Sequence, residues 1–136
     1  MAHQLILVLV ETPIGGARVV DDLLLPHCGF APGVKHGGRF EYYDFGGRWS
    51  GLLGKWELGP ARPGTFGGID AVLTNNACPL AALPESLEPH GVVTPDGIWH
   101  VLDWWDPVRI DQSARDLAQL LSDYPDHWAV LIDAKV

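Results

Sequence analysis

Two uninterrupted apolar runs stand near the ends of the chain, Leu5-Ile6-Leu7-Val8-Leu9-Val10 and Trp128-Ala129-Val130-Leu131-Ile132 before Asp133. Runs this short, rich in β-branched residues and leucine, predict strands covered on both faces. Pro13 and Gly15-Gly16 end the first. Val20, Leu23 and Leu24 then recur at i, i+3, i+4 beside the polar Arg18, Asp21 and Asp22, which predicts a short helix ending before Pro26. A second helix is expected from Asp111 to Leu121, with Asp111 as N-cap, Leu117, Leu120 and Leu121 on one stripe, and Pro125 beyond its end.

Between the helices the period changes. His27 to Arg39 is rich in glycine and proline and reads as a long loop. Phe40 to Phe45 has the aromatic content of a strand, Gly46-Gly47 would break it, and Ser50 to Leu58 would return as its hairpin partner. Ile69 to Leu73 is a further short strand and Pro79 to Leu87 a helical turn. Val92-Val93 and Ile98 to Leu102 flank Thr94-Pro95-Asp96-Gly97, a second hairpin in which proline pre-sets the first turn angle. Strand, helix, hairpin, hairpin, helix, strand is the order of an α+β fold: one domain spanning 1–136, with a mainly antiparallel sheet and two helices packed on one face.

Composition supports a folded globule, since 47% of the 136 residues are hydrophobic, 19% are charged and six are tryptophan. Nine Lys+Arg against seventeen Asp+Glu leave a net charge of −8, which opposes neutralising the phosphates of a duplex, so no nucleic-acid partner is expected. One anionic small molecule is a different matter, because a single arginine beside oriented N–H groups acts locally. The start of the chain has no basic leader, and its six-residue apolar run is too short for a membrane span, which predicts a cytoplasmic protein without membrane contact.

The densest chemistry is Tyr42-Tyr43-Asp44-Phe45-Gly46-Gly47-Arg48-Trp49-Ser50-Gly51. Glycines let N–H groups converge and the Arg48 guanidinium offers a fork to carboxylate or phosphate; the rival structural role is an Arg48 clamp to Asp44 across the turn, with Arg48 stacked on Trp49. The motif lacks the Lys-Ser/Thr ending of a P-loop. His100, with Asp96 at the turn before it, is the candidate acid or base, or else a half-exposed strand histidine. Tyr43 is a second candidate for catalysis, and Gly46, Gly47, Arg48, Trp49, Asp96 and Trp104 are candidates for ligand binding, the Trp104-Trp105 pair as a stacking platform or as core. His27, Cys28 and His36 match no standard zinc spacing, even with Cys78, His90 or Asp96 as a guessed fourth ligand, so no metal site is expected and no cofactor is indicated. Cys28 and Cys78 form no C-x-x-C pair and read as free thiols.

Gly46-Gly47-Arg48-Trp49-Ser50-Gly51, Val92-Val93-Thr94-Pro95-Asp96-Gly97-Ile98-Trp99-His100 and Tyr124-Pro125-Asp126, in that order, resemble blocks in small proteins of actinobacteria and their phages that have no assigned activity. The resemblance covers the central and C-terminal two-thirds. Many of those proteins close on an aspartate followed shortly by histidine, where this chain has Asp133-Ala134-Lys135-Val136. Two functions fit these residues: an anionic small-molecule site, for a nucleotide or carboxylate, in which His100 and Arg48 converge and proton transfer is available; or a non-enzymatic, phage-type accessory protein that binds a host or partner protein through an acidic, tryptophan-rich surface.

Overall fold

The computed structural model describes residues 2–12, 16–29, 38–54 and 75–136. Six strands form one sheet: β1 (His3–Val10), β2 (Tyr42–Phe45), β3 (Ala77–Pro79), β4 (Gly91–Val93), β5 (Trp99–Val101) and β6 (Trp128–Lys135), with helices α1 (Gly16–Leu24) and α2 (Ile110–Asp123). The order across the sheet is β2-β6-β1-β4-β5, and β3 also pairs with β6. Every pairing is antiparallel except β1 with β4. The two apolar runs foreseen at the chain ends are thus the central pair, in register from His3 opposite Lys135 to Val10 opposite Trp128.

Because neighbouring side chains on a strand point to opposite faces, each apolar run feeds two cores. Ile6, Val8, Val10, Val130 and Ile132 pack on one face with Ala17, Val20 and Leu24 of α1 and with Phe40 and Trp99. Leu5, Leu7, Leu9, Ala129 and Leu131 pack on the other with Cys78, Leu80, Leu87 and Leu102, against which Leu117, Leu120 and Leu121 of α2 are partly buried. The α+β class and the mainly antiparallel sheet are as expected. The disposition of the helices differs: α1 and α2 cover opposite faces. The apolar stretches Leu5–Val10 and Ala129–Ile132 leave neither face of the central pair for water to occupy, and one helix on each side resolves that.

The first expected hairpin is absent among the described residues. β2 instead pairs with β6, and Gly47–Trp49 is a turn of 3-10 helix that leads on to Leu53. Ser50 to Gly54 does not return as a strand; the remainder of the expected partner, like Ile69 to Leu73, lies outside the described residues. β3 and the 3-10 turn Leu80–Ala82 occupy part of the stretch read as helical. The second hairpin forms as expected, with Gly97 N–H donating to the Thr94 carbonyl at 2.8 Å and Thr94 N–H to the Ile98 carbonyl at 3.1 Å. The α2 helix begins at Ile110 with Arg109 as its cap residue, so Asp111 lies in the first turn, and the buried Ser113 ties the helix to the preceding chain through both the N–H and the carbonyl of Asp103.

His90 joins the start of β4 to β1. Its Nδ1 accepts the Leu5 N–H at 3.0 Å, while its own N–H donates to the Leu5 carbonyl at 2.8 Å. Burial holds its pKa below the ordinary imidazole value. The unfolded chain therefore takes up this proton first as pH falls, so stability present above about pH 6.5 is lost on acidification below it. His90→Asn keeps an acceptor for Leu5 but cannot titrate. Between pH 7 and 5 the urea midpoint of the wild-type chain is expected to fall further than that of H90N; equal falls would show that His90 is not the group responsible.

Candidate functional site

Gly46, at the end of β2, has φ +71° and Gly47 has φ +48°, conformations that side chains rarely adopt. The first bend lets Gly46 N–H reach the Leu131 carbonyl at 2.9 Å, which lays the loop across β6. A Cβ on Gly47 would stand 2.5 Å from Oδ2 of Asp133 and one on Gly46 would meet the side chain of Asn76. The double glycine is therefore a close-approach device: it brings backbone down onto β6, and the next N–H, that of Arg48, donates to Asp133 Oδ2 at 3.0 Å.

Asp133 is 1% exposed, yet it is a carboxylate in the closing strand. Its second partner comes from β1: Nδ1 of His3 lies 2.8 Å from Oδ1 and 3.0 Å from Oδ2. Since Leu5 is opposite Asp133 and His3 opposite Lys135, both side chains project from the same face. A carboxylate only accepts, so Nδ1 of the partly exposed His3 carries the hydrogen of this bond. This is the arrangement in which a buried carboxylate orients an imidazole as a base. Beside it, Lys135 pairs with Asp44 and lies 4.7 Å from the centroid of the Tyr42 ring; the Asp44 hydrogen bond raises the Lys135 pKa.

The expected clamp between Asp44 and Arg48 is thus not formed. Lys135 takes Asp44, and the exposed Arg48 makes no ion pair among the described residues. Trp49 is half-buried against the α2-side core.

The other expected site residues lie elsewhere. His100 is on β5, three strand spacings from β6, or roughly 14 Å. Its Nε2 lies 3.1 Å from Oγ1 of the buried Thr94, which also bonds Asp96. The Thr94 hydroxyl, then the Ile98 N–H at 3.1 Å, hold the Asp96 carboxyl below its usual pKa. These contacts staple the turn, and His100 borders a cavity of about 250 Å³ beside Asp116, Gln119 and Leu120 of α2. The expected convergence of Arg48 with His100 is therefore not present, because β1 and β4 lie between β6 and β5.

Tyr43 is on the α1 face, where its hydroxyl donates to Asp21, whose pKa is raised by burial and then by Asp22. Neither Arg48 nor His100 shares that face. The Trp104 Nε1–H donates to the Pro89 carbonyl at 2.6 Å, so this indole is a structural tie, while Trp105 is 70% exposed.

His27 Nε2 bonds the Gly97 carbonyl at 2.9 Å and Cys28 Sγ bonds the Glu41 carbonyl at 3.2 Å; His36 lies outside the described residues, among which no cluster of three metal-type ligands occurs. Both cysteines are free, and burial pushes the Cys78 thiol to about 11. No helix among the described residues is long and apolar enough to cross a membrane. Comparison of the chain with protein-family models, curated proteins and solved structures returns no match.

His3 was absent from the sequence expectations because its partner is 130 positions away; only the antiparallel pairing of first and last strands reveals it. Gly47→Ala tests the close approach. It combines a left-handed backbone with a clash on Asp133 and is expected to cost about 2–3 kcal/mol in urea denaturation, whereas Gly51→Ala, at φ +85° with nothing within 4 Å, should cost about 1 kcal/mol. Equal losses would exclude the Asp133 contact as the reason for glycine at 47.

Proposed function

We propose that the protein binds a small molecule bearing a carboxylate or phosphate at the Gly46–Trp49 loop, with Arg48 as the anion contact and His3 as an acid or base beside it. The observation that carries this is the shared carboxylate: Asp133 accepts from the Arg48 N–H and from His3 Nδ1, so one buried group sets the position of both. Arg48 is exposed and makes no ion pair among the described residues, which leaves its fork for a ligand. Many of the actinobacterial and phage proteins that the chain resembles close on an aspartate followed shortly by histidine; here His3 would bring that imidazole from the first strand. Proton transfer is then a role for His3 rather than for His100 or Tyr43.

The test is an NMR titration with inorganic phosphate and, separately, acetate. Saturable shifts are expected at the Gly47 and Arg48 amides and the His3 ring, and Arg48→Gln should weaken binding roughly tenfold, the loss of a charge-assisted pair. Absence of saturation, or titrations unchanged in R48Q, would end this reading. A second reading, a non-enzymatic accessory protein that binds a partner protein, is favoured by the exposed Ile98, Val101 and Val108 on and beyond edge strand β5.

A further inference from the structure

A second cavity, of about 370 Å³, opens at the β5 edge and is lined by Gln4, Arg39, His90, Trp99, Asp103 and Trp105 among others. None of these residues belongs to the Gly46–Trp49 loop or contacts Asp133. We propose that this cavity is a binding site for a nucleoside monophosphate, its base stacked on Trp105 and its phosphate held by Arg39 and His90.

Trp105 supplies a flat surface that is already fixed. One side of its indole lies on the His90 ring, with centroids 4.7 Å apart and planes tilted by 36°, and its backbone N–H donates to Asp103 Oδ1 at 3.1 Å, which fixes the main chain that carries it. The side chain is nevertheless 70% exposed. An indole held in place on one side and open on the other has the form of a stacking platform, and stacking on an aromatic ring accepts any base.

The donors are equally determined. Because Nδ1 of His90 accepts the Leu5 N–H, the ring hydrogen of neutral His90 must be on Nε2, which makes that nitrogen a donor. Arg39 lies 5.7 Å over the Trp99 ring and makes no ion pair among the described residues, so its charge is not neutralised by a neighbouring carboxylate. Asp103 is the one acidic group in this set. Its Oδ1 already accepts the N–H groups of Trp105 and, at 3.2 Å, Asp106, which reduces its opposition to a phosphate. The Gln4 amide offers both donor and acceptor to a base edge. A volume of this size is at the lower end for small-molecule sites and suits a mononucleotide, not a dinucleotide.

Calorimetry with AMP, with adenosine as the uncharged control, tests this on the whole chain, alongside the indole N–H resonance of Trp105. AMP is expected to saturate and to shift that resonance. The exposed Trp105→Ala should weaken AMP roughly tenfold or more, as loss of one stack implies. Arg39→Gln should weaken AMP by a similar factor while leaving adenosine unchanged, and Arg48→Gln should leave the AMP-dependent shift of the Trp105 indole resonance unchanged. Circular dichroism of each variant confirms that it is folded. No saturable AMP binding, or binding indifferent to W105A and R39Q, overturns the proposal. AMP binding lost in R48Q and intact in W105A would also overturn it, while supporting the separate site at the Gly46–Trp49 loop.

Discussion

The antiparallel ladder between β1 and β6 is the constraint on which the other features depend. Eight residues on each side pair without a bulge, and both strands are buried across nearly their whole length. Side chains alternate strictly, so the ladder's register decides which residues meet on each face. A slip of one residue would turn Asp133 toward the α1 face while His3 stayed on the other. The buried carboxylate would then lose its imidazole and lie in an apolar layer at a cost of several kcal/mol. The alternation of side chains that builds two cores thus also brings the His3–Asp133 pair together on the α2 face.

β6 does a second task on its far edge. β2 pairs along Ile132 to Lys135 and β3 along Trp128 to Val130, one after the other, with Leu131 taken by the Gly46 N–H and by the Asn76 carbonyl. The double glycine sits at the junction of these two short strands. Its conformation follows from the geometry of that junction, where backbone must pass close over a strand already carrying a buried acid. Arg48 is presented outward as a consequence.

Much of this was readable in the residues. Leu5 to Val10 and Trp128 to Ile132 identify themselves as covered strands because neither run contains a polar position. The Thr94–Gly97 turn carries its own backbone chemistry, and α1 carries its stripe. What was not readable depended on pairing across long separations. Tyr42–Phe45 looked like the first arm of a hairpin because local turn chemistry favours a local partner, but β6 offered a longer buried edge. Asp44 had Arg48, four residues on, as one candidate partner, yet the antiparallel pairing of β2 with β6 places Lys135 within its reach. His100 and the glycine loop share a sheet face without being neighbours, and strand order, which no local pattern specifies, is the reason.

The place of β6 in the chain has a consequence for how the molecule is made. It is the last of the described strands to leave the ribosome, and it is the partner of β1, β2 and β3. Until it arrives, Leu5 to Val10 has an open edge and two short strands have no neighbour among the described elements. Closure of the sheet joins residues more than 120 positions apart, as in His3 with Lys135, a topology whose loop-closure entropy slows folding. The nascent chain therefore carries its most apolar strand without either partner until β4 emerges and half-paired until β6 does, which makes β1 the segment most in need of shielding during synthesis.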